Sequence, residues 1–282
     1  MTLVFPAMRI ARFLALLTLL PTPLFAWGAK GHSVVAEIAE RGLSPAAAAA
    51  VRELNFAAPL RDVASLPDDW RGEETRKLRT TDTDAWHYSN IPNDQTTFVR
   101  ARDCKDGDCI VAAIEKNLAI LRDKKQKREV RREALVYVVH FIGDIHQPMH
   151  AAGGMIRSEK TGEMEPDRGG NSVKLRYLGI ETNLHSVWDS MLIEWGKETV
   201  EEYADYLLEY EMRGRTVAEL QTGDTVKWIE ESHYAAVHDA YDIGNGRLGS
   251  DYAKKNIGIV YERLLRGGLR LRRVLEEALV GP

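Results

Sequence analysis

Apolar residues recur along this chain mostly at helical spacing. Val34, Val35, Ile38 and Ala39 form one stripe that ends near Gly42. Ser44 followed by Pro45 reads as an N-cap with proline in the first turn, and an alanine run carries that helix to Leu54. Ile110, Ile114, Leu118 and Leu121 predict a third helix between Cys109 and Leu121. The same periodicity predicts helices over 129–145, 184–195, 198–211, 224–241 and 252–279. Only 172–178 alternates as a strand does, with Val173, Leu175 and Tyr177 on one face. No long repeat recurs and no Pro/Ser-rich linker divides the chain. The expectation is an all-α fold, a single compact multi-helix domain with a minor β-hairpin near 171–180. The stretch 153–170 is glycine-rich, charged and without period, so it reads either as an ordinary surface loop or as the rim of a site.

The amino-terminal stretch follows a different pattern. Arg9 and Arg12 precede an apolar run over 13–20, then Pro21, Pro23 and a small residue at Ala26. This is the layout of a secretory signal peptide, with the natural cut between Ala26 and Trp27. The run is too short for a confident membrane span, which needs about 20 apolar residues. The expected division is therefore a signal peptide over 1–26 and one domain over 27–282, periplasmic or secreted and not inserted in a membrane. Export implies an oxidising compartment, and Cys104 and Cys109, four turn-forming residues apart, read as a local disulfide rather than two free thiols. No Asn-x-Ser/Thr sequon occurs.

Composition narrows the function less than arrangement does. The 282 residues carry 38 basic and 42 acidic side chains, a formal charge of −4 that becomes −6 once 1–26 is removed. That excludes a protein that grips duplex nucleic acid by net positive charge alone. Eight histidines are not an unusual number, but their placement is. His140 and Asp144 are four apart, so on a helix they share a face and can meet one metal ion. Pro148 ends that helix and sets His150 just beyond it, whereas His146 leaves the face and reads as structural or as a support behind the ligands. His185 and Asp189 repeat the four-residue spacing. Upstream lie Asp68 and Asp69 beside Arg71, and His87 within Trp86-His87-Tyr88-Ser-Asn90. The chain after the expected cut begins Trp27-Gly-Ala-Lys-Gly-His32, and a free amino terminus is itself a nitrogen ligand. His233 and His238 are expected to be core or surface groups, and Arg263, Arg266, Arg270, Arg272 and Arg273 the solvated face of the last helix.

These motifs together resemble the zinc-dependent, single-strand-specific nucleases of the fungal and plant type, the type I nucleases, which share a superfamily with bacterial zinc phospholipases C. The resemblance covers essentially all of 27–282. It is carried by Trp27-x4-His32, Ser-x-Pro-Asp68 with Arg71, Trp-His87-Tyr, His140-x3-Asp144-x5-His150, Asp-Arg-Gly-Gly-Asn171 and His185-x3-Asp189. It implies three zinc ions. One would be held by Asp68, His87, His140 and Asp144. The second would take the Trp27 amino nitrogen and carbonyl, His32 and the bridging Asp144. The third would take His150, His185 and Asp189. Tyr88 would stack on a nucleobase, Asn171 with Gly170 would hydrogen-bond it, and Arg71 would face the phosphate.

The implied activity is an endonuclease on single-stranded DNA and RNA that leaves 5′-phosphorylated products and also acts on 3′-mononucleotides. Asp68, Arg71 and Asp144 would serve in catalysis, with water activated between two zinc ions. The protein would be a monomer. The chain departs from the family where Asn90 stands for a common aspartate that contacts the base, and where Leu66 replaces a tryptophan. The absence of extra disulfides and sequons points to a bacterial relative. Two other readings share the ligands: a zinc phospholipase C, and a non-enzymatic periplasmic zinc-binding protein.

Overall fold

The computed structural model describes residues 27–72, 75, 77, 81–194 and 198–281. The expected signal peptide over 1–26 and Trp195, the last residue of the helix expected over 184–195, fall outside them. The principal helices are α1 (Ala29–Arg41), α2 (Pro45–Leu54), α3 (Leu66–Trp70), α4 (Ile110–Arg122) and α5 (Arg128–Asp144). They are followed by α6 (Leu184–Ser186), α7 (Val200–Tyr206), α8 (Thr225–Ala235) and α9 (Ser250–Leu279). The mostly helical single domain is as expected, and local chemistry accounts for many of its boundaries. Ser44 accepts a hydrogen bond from the Ala47 amide at 3.2 Å and starts α2. Thr199 and Glu202 form a reciprocal capping box that starts α7.

Helix α9 packs along α1 and against α5, while α4 pairs with α5. Every residue of α5 from Ala134 to Asp144 is buried, so this helix runs through the centre and delivers His140 and Asp144 there. Among the described residues, three helices end in wider π turns, over Val187–Met191, Leu207–Glu211 and Ala236–Ala240. The first of these carries Asp189, in keeping with the tendency of π turns to occur at functional sites.

The β content exceeds the single hairpin expected. Strands Lys174–Tyr177 and Ile180–Asn183 form that hairpin, with Leu175 and Tyr177 buried, and Arg247–Leu248 joins it in parallel. The stretch 153–170 contains a second hairpin, Met155–Arg157 with Met164–Pro166. Their alternation is hidden because both strands are exposed or only half-buried. A short parallel pair joins Ile91–Pro92 to Ala152–Gly153 and ties the Tyr88 segment to the chain just after His150.

The expected solvated arginine face of α9 is a correction. Arg263 is 4% exposed and Arg270 is fully buried, while the other three are half-buried. The reason is Glu231 on α8, whose carboxylate accepts from Arg263 at 2.9 Å and from Arg270 at 2.7 and 3.0 Å. The remaining guanidinium donors reach the carbonyls of His146, Trp228 and Leu220, so the buried charges are paired and hydrogen-bonded.

Candidate metal centre

The site forms where the C-terminal end of α5 meets α1, α3 and the Asp84–His87 turn. Gly143 decides how close these can come. A Cβ there would lie 2.6 Å from the His32 ring, so only glycine lets α5 press its backbone against that imidazole. His32 in turn stacks on His140 with ring centroids 4.0 Å apart. The sequence motif His140-Phe-Ile-Gly-Asp144 thus contains its glycine for a packing reason.

Among the described residues, three groups of histidine and aspartate atoms converge: His32, His140 and Asp144; Asp68, His87 and His140; and His150, His185 and Asp189. All are buried. Within each, the ligand atoms lie within 4.8 Å of one another. Asp144 connects the first two, with Oδ1 3.2 Å from His32 Nε2 and Oδ2 3.0 Å from His87 Nδ1. His140 Nε2 is 3.1 Å from the same Oδ2. In the third group His185 Nε2 is 3.1 Å and His150 Nε2 3.9 Å from the two oxygens of Asp189.

The protein fixes which nitrogen of each ring is bare. His140 Nδ1 donates to the Ala64 carbonyl at 2.7 Å, His150 Nδ1 to the His87 carbonyl at 2.7 Å, and His185 Nδ1 to the Gly169 carbonyl at 2.6 Å. A carbonyl oxygen can only accept, so each neutral ring turns an Nε2 lone pair towards the carboxylates. This backing is how metal-bound imidazoles are oriented. Several buried atoms here have no hydrogen-bond partner among the described residues: both His32 nitrogens, His87 Nε2, His150 Nε2, Asp68 Oδ2 and Asp144 Oδ1. Burying such atoms unpaired costs free energy that a shared cation removes. The residues fit a divalent ion, and a donor set of imidazole and carboxylate suits zinc.

Electrostatics point the same way for His32, His87 and His150. Burial pushes the His87 pKa down to about 3 and lowers those of His32 and His150, which keeps their lone pairs available. Burial also opposes charge on His140 and His185, but the neighbouring aspartates outweigh it and raise both. Burial alone would raise Asp144; the surrounding histidines hold it well below the usual range, as a carboxylate.

A cavity of about 690 Å³ opens beside these groups, lined by Asp68, Arg71, Tyr88, Asn90, Asn171, His150 and His185 among others. Tyr88 is 38% exposed at its edge. Its segment is clamped on both sides: the Ile110 amide donates to Tyr88 O, the Ser89 amide to His150 O, and Ser89 Oγ to Asp103 O. The disulfide between Cys104 and Cys109 closes the loop behind it. Trp27 and His32 do not line the cavity. Trp27 is fully buried, and the Gly28 amide donates to Asp189 O at 2.7 Å, which sets the start of the domain against the third group. Gly170 does not line the cavity either; its carbonyl accepts from Val173 and His185. Asn171 uses its amide NH₂ on the Arg168 carbonyl at 2.9 Å, and its Oδ1 is buried without a partner among the described residues.

Some contributors were not singled out from the sequence. Gln147, fully buried, is one; its position inside an otherwise apolar and histidine-rich run was the available signal. Asp84 and Arg168, both lining the cavity, are others. Arg168 has φ of 58°, a left-handed conformation that costs an ordinary residue about 1–2 kcal/mol. His146, read as structural, is so placed: Nδ1 donates to Ile142 O and Nε2 accepts from Arg270. His233 is likewise buried, bonded to the carbonyls of Ala151 and Gln95.

A family model described as S1/P1 Nuclease matches residues 27–280. The chain is 30% identical to Endonuclease 2 of Arabidopsis thaliana over 278 residues, covering 88% of this chain and 89% of that protein. It is 28% identical to Nuclease S1 of Aspergillus oryzae, covering 89% and 91% respectively. It is 26% identical to Nuclease P1 of Penicillium citrinum, covering 89% and 97%. The match spans every group of the buried His/Asp site, and the chain belongs to the S1/P1 nuclease family.

Proposed function

We propose that this protein is an exported zinc nuclease that hydrolyses phosphodiester bonds of single-stranded DNA and RNA, leaves 5′-phosphorylated ends, and dephosphorylates 3′-mononucleotides. The observation that carries this is the convergence of bare imidazole and carboxylate atoms, in three adjoining groups, beside a cavity edged by an exposed tyrosine. Three zinc ions are assigned: one to Asp68, His87, His140 and Asp144; one to His32, Asp144 and the Trp27 amino nitrogen and carbonyl; one to His150, His185 and Asp189. Bound there, zinc supplies Lewis-acid polarisation of the phosphate and a water acidic enough to ionise near neutral pH.

The residues do the rest. Asp68 accepts a hydrogen bond from Arg71 and so aims that guanidinium, whose other donors would meet the phosphoryl oxygens as charge grows on them. Tyr88 offers a ring face to an unstacked base, and a paired base has none to give. Asn171 would accept from a base N–H once its buried, unpartnered Oδ1 turns to the cavity, and Asn90 can donate as well as accept. Support for export comes from the 1–26 pattern, and a cut after Ala26 would free the Trp27 amine that the second ion needs. No helix among the described residues is long and apolar enough to cross a membrane.

The test compares protein stripped by chelator with protein restored by zinc, on a labelled single-stranded oligonucleotide, its duplex, and phosphatidylcholine vesicles. Zinc-dependent cleavage of the single strand, with the duplex and lipid spared, is expected. Equal cleavage by the stripped protein would overturn the reading, and hydrolysis of the lipid alone would favour a phospholipase.

A further inference from the structure

Residues Arg168, Gly169 and Gly170 are three consecutive left-handed positions, with φ of 58°, 61° and 79°. Glycine holds that conformation without steric cost; arginine does not. The surroundings leave the chain no alternative. Asp167 is 1% exposed, and its carboxylate accepts from the Gly154 amide at 3.0 Å and the Tyr241 hydroxyl at 2.6 Å. Its carbonyl accepts from the Ser172 amide at 2.9 Å, while Arg168 O accepts from both nitrogens of Asn171. Gly169 O is held by His185 Nδ1. The loop is therefore stapled to the third metal group at one end and to Tyr241 at the other.

From this backbone the Arg168 side chain emerges exposed along the cavity. No carboxylate among the described residues pairs with it, whereas Arg71 is engaged by Asp68. Its charge reaches Tyr88: burial and the Asp84 carboxylate push that phenol up, and Arg168 opposes them. A strained position, held by several bonds, that projects an uncommitted cation into a cavity calls for a functional explanation.

We infer that Arg168 binds a backbone phosphate next to the nucleotide whose base lies on Tyr88, and so selects polynucleotides over substrates with a single phosphodiester. The inference rests on the nuclease reading given above. The metal groups and Arg71 surround the bond to be cut, while Arg168 shares its loop with Asn171 and stands beside Tyr88. It therefore faces the base side, where a neighbouring phosphate passes. A guanidinium suits that task because its planar donors match phosphate oxygens in pairs.

The experiment uses the zinc-loaded protein and its Arg168→Ala, Arg168→Lys and Arg168→Gly variants. The substrates are an octanucleotide and a dinucleoside monophosphate, which has the same scissile bond but no neighbouring phosphate. Arg168→Ala is expected to lower kcat/KM on the octanucleotide about tenfold, through KM, and to leave the dinucleoside monophosphate within about twofold. Affinity for a cleavage-resistant phosphorothioate octanucleotide should fall in parallel, and its dependence on salt should lose about 0.7 of a unit of log–log slope, the share of one phosphate contact. Arg168→Lys should recover part of the loss. Arg168→Gly, which relaxes the backbone, should bind as poorly as the alanine variant and secures the measurement if alanine misfolds. Equal losses on both substrates, or none on either, would overturn the inference. If the unaltered protein cleaves neither substrate, the nuclease reading falls and takes this one with it.

Discussion

The side-chain amide of Gln147 donates to Asp189 Oδ1 across 42 residues of sequence, and its own oxygen is fixed by the Met149 amide. The acceptor end is committed to a backbone N–H, so the NH₂ end must face the carboxylate. Gln147 therefore orients Asp189 towards the third group without contacting the cavity. Gln147→Leu is expected to weaken one zinc ion by about 10–100-fold and leave two in place. Competition with a chromophoric chelator would show one weakened class of site among the three proposed. Uniform weakening of all three would mean that Gln147 only supports the fold.

Asp144 is shared by the first two groups, with one oxygen towards His32 and the other towards His87 and His140. Asp144→Asn keeps the shape and removes the charge. It should cost two of the three proposed zinc ions and about 10³-fold or more in rate, with the far-UV circular dichroism unchanged. Metal analysis alongside kinetics checks both parts.

Tyr88 is the exposed ring at the cavity edge. Tyr88→Ala should weaken binding of a single-stranded oligonucleotide by about 1–3 kcal/mol, the usual worth of one base stacked on an aromatic ring. Tyr88→Phe should restore it. Fluorescence anisotropy on the cleavage-resistant oligonucleotide distinguishes stacking from any role of the hydroxyl.

Away from the site, Glu231 neutralises two buried guanidiniums. Glu231→Ala should destabilise the fold by about 3 kcal/mol, because it strands Arg263 and Arg270, and urea denaturation reads this directly. The same network bonds the carbonyls of Ile145 and His146 through Ser232 and Arg263, so local loosening should reach His150 as well.

Acid should act through Glu262. Burial alone would raise its pKa, but hydrogen bonds from Arg215 and Arg266 outweigh burial and bring it from the usual 4.5 to about 2. A carboxylate depressed in the folded state contributes stability above its unfolded pKa, and that contribution disappears as pH falls from about 4.5 to about 2. Allowing for partial exposure, about 1–2 kcal/mol is at stake. Glu262→Gln should be less stable than the parent at pH 7 and converge with it near pH 2. A constant gap across that range would count against the assignment.

The sequence was most legible where one physical rule acted alone. The His140–Asp144 spacing fixed a shared helix face, and α5 delivers both inward. Ser44 and Pro45 marked the start of α2 as capping rules require. Legibility failed where the deciding partner lay far along the chain. Nothing near Arg270 announces Glu231, 39 residues away, so periodic arginines looked like a solvated face. The hairpin within 153–170 failed for another reason: an exposed or half-buried hairpin has no buried side to impose alternation. Arg168 stood in plain view inside a motif, but its left-handed backbone could not be seen without coordinates.

The unpartnered polar atoms buried around His32, His87 and Asp144 make stability itself a function of supply. Any ligand that binds only the folded chain stabilises it in proportion to the logarithm of its concentration, about 1.4 kcal/mol per tenfold rise for each site once filled. With zinc assigned to those atoms, the thermal midpoint becomes a gauge of free zinc in the surrounding medium. Copies made during scarcity would be the ones most open to proteolysis, so an idle nuclease would be cleared by the same shortage that idled it.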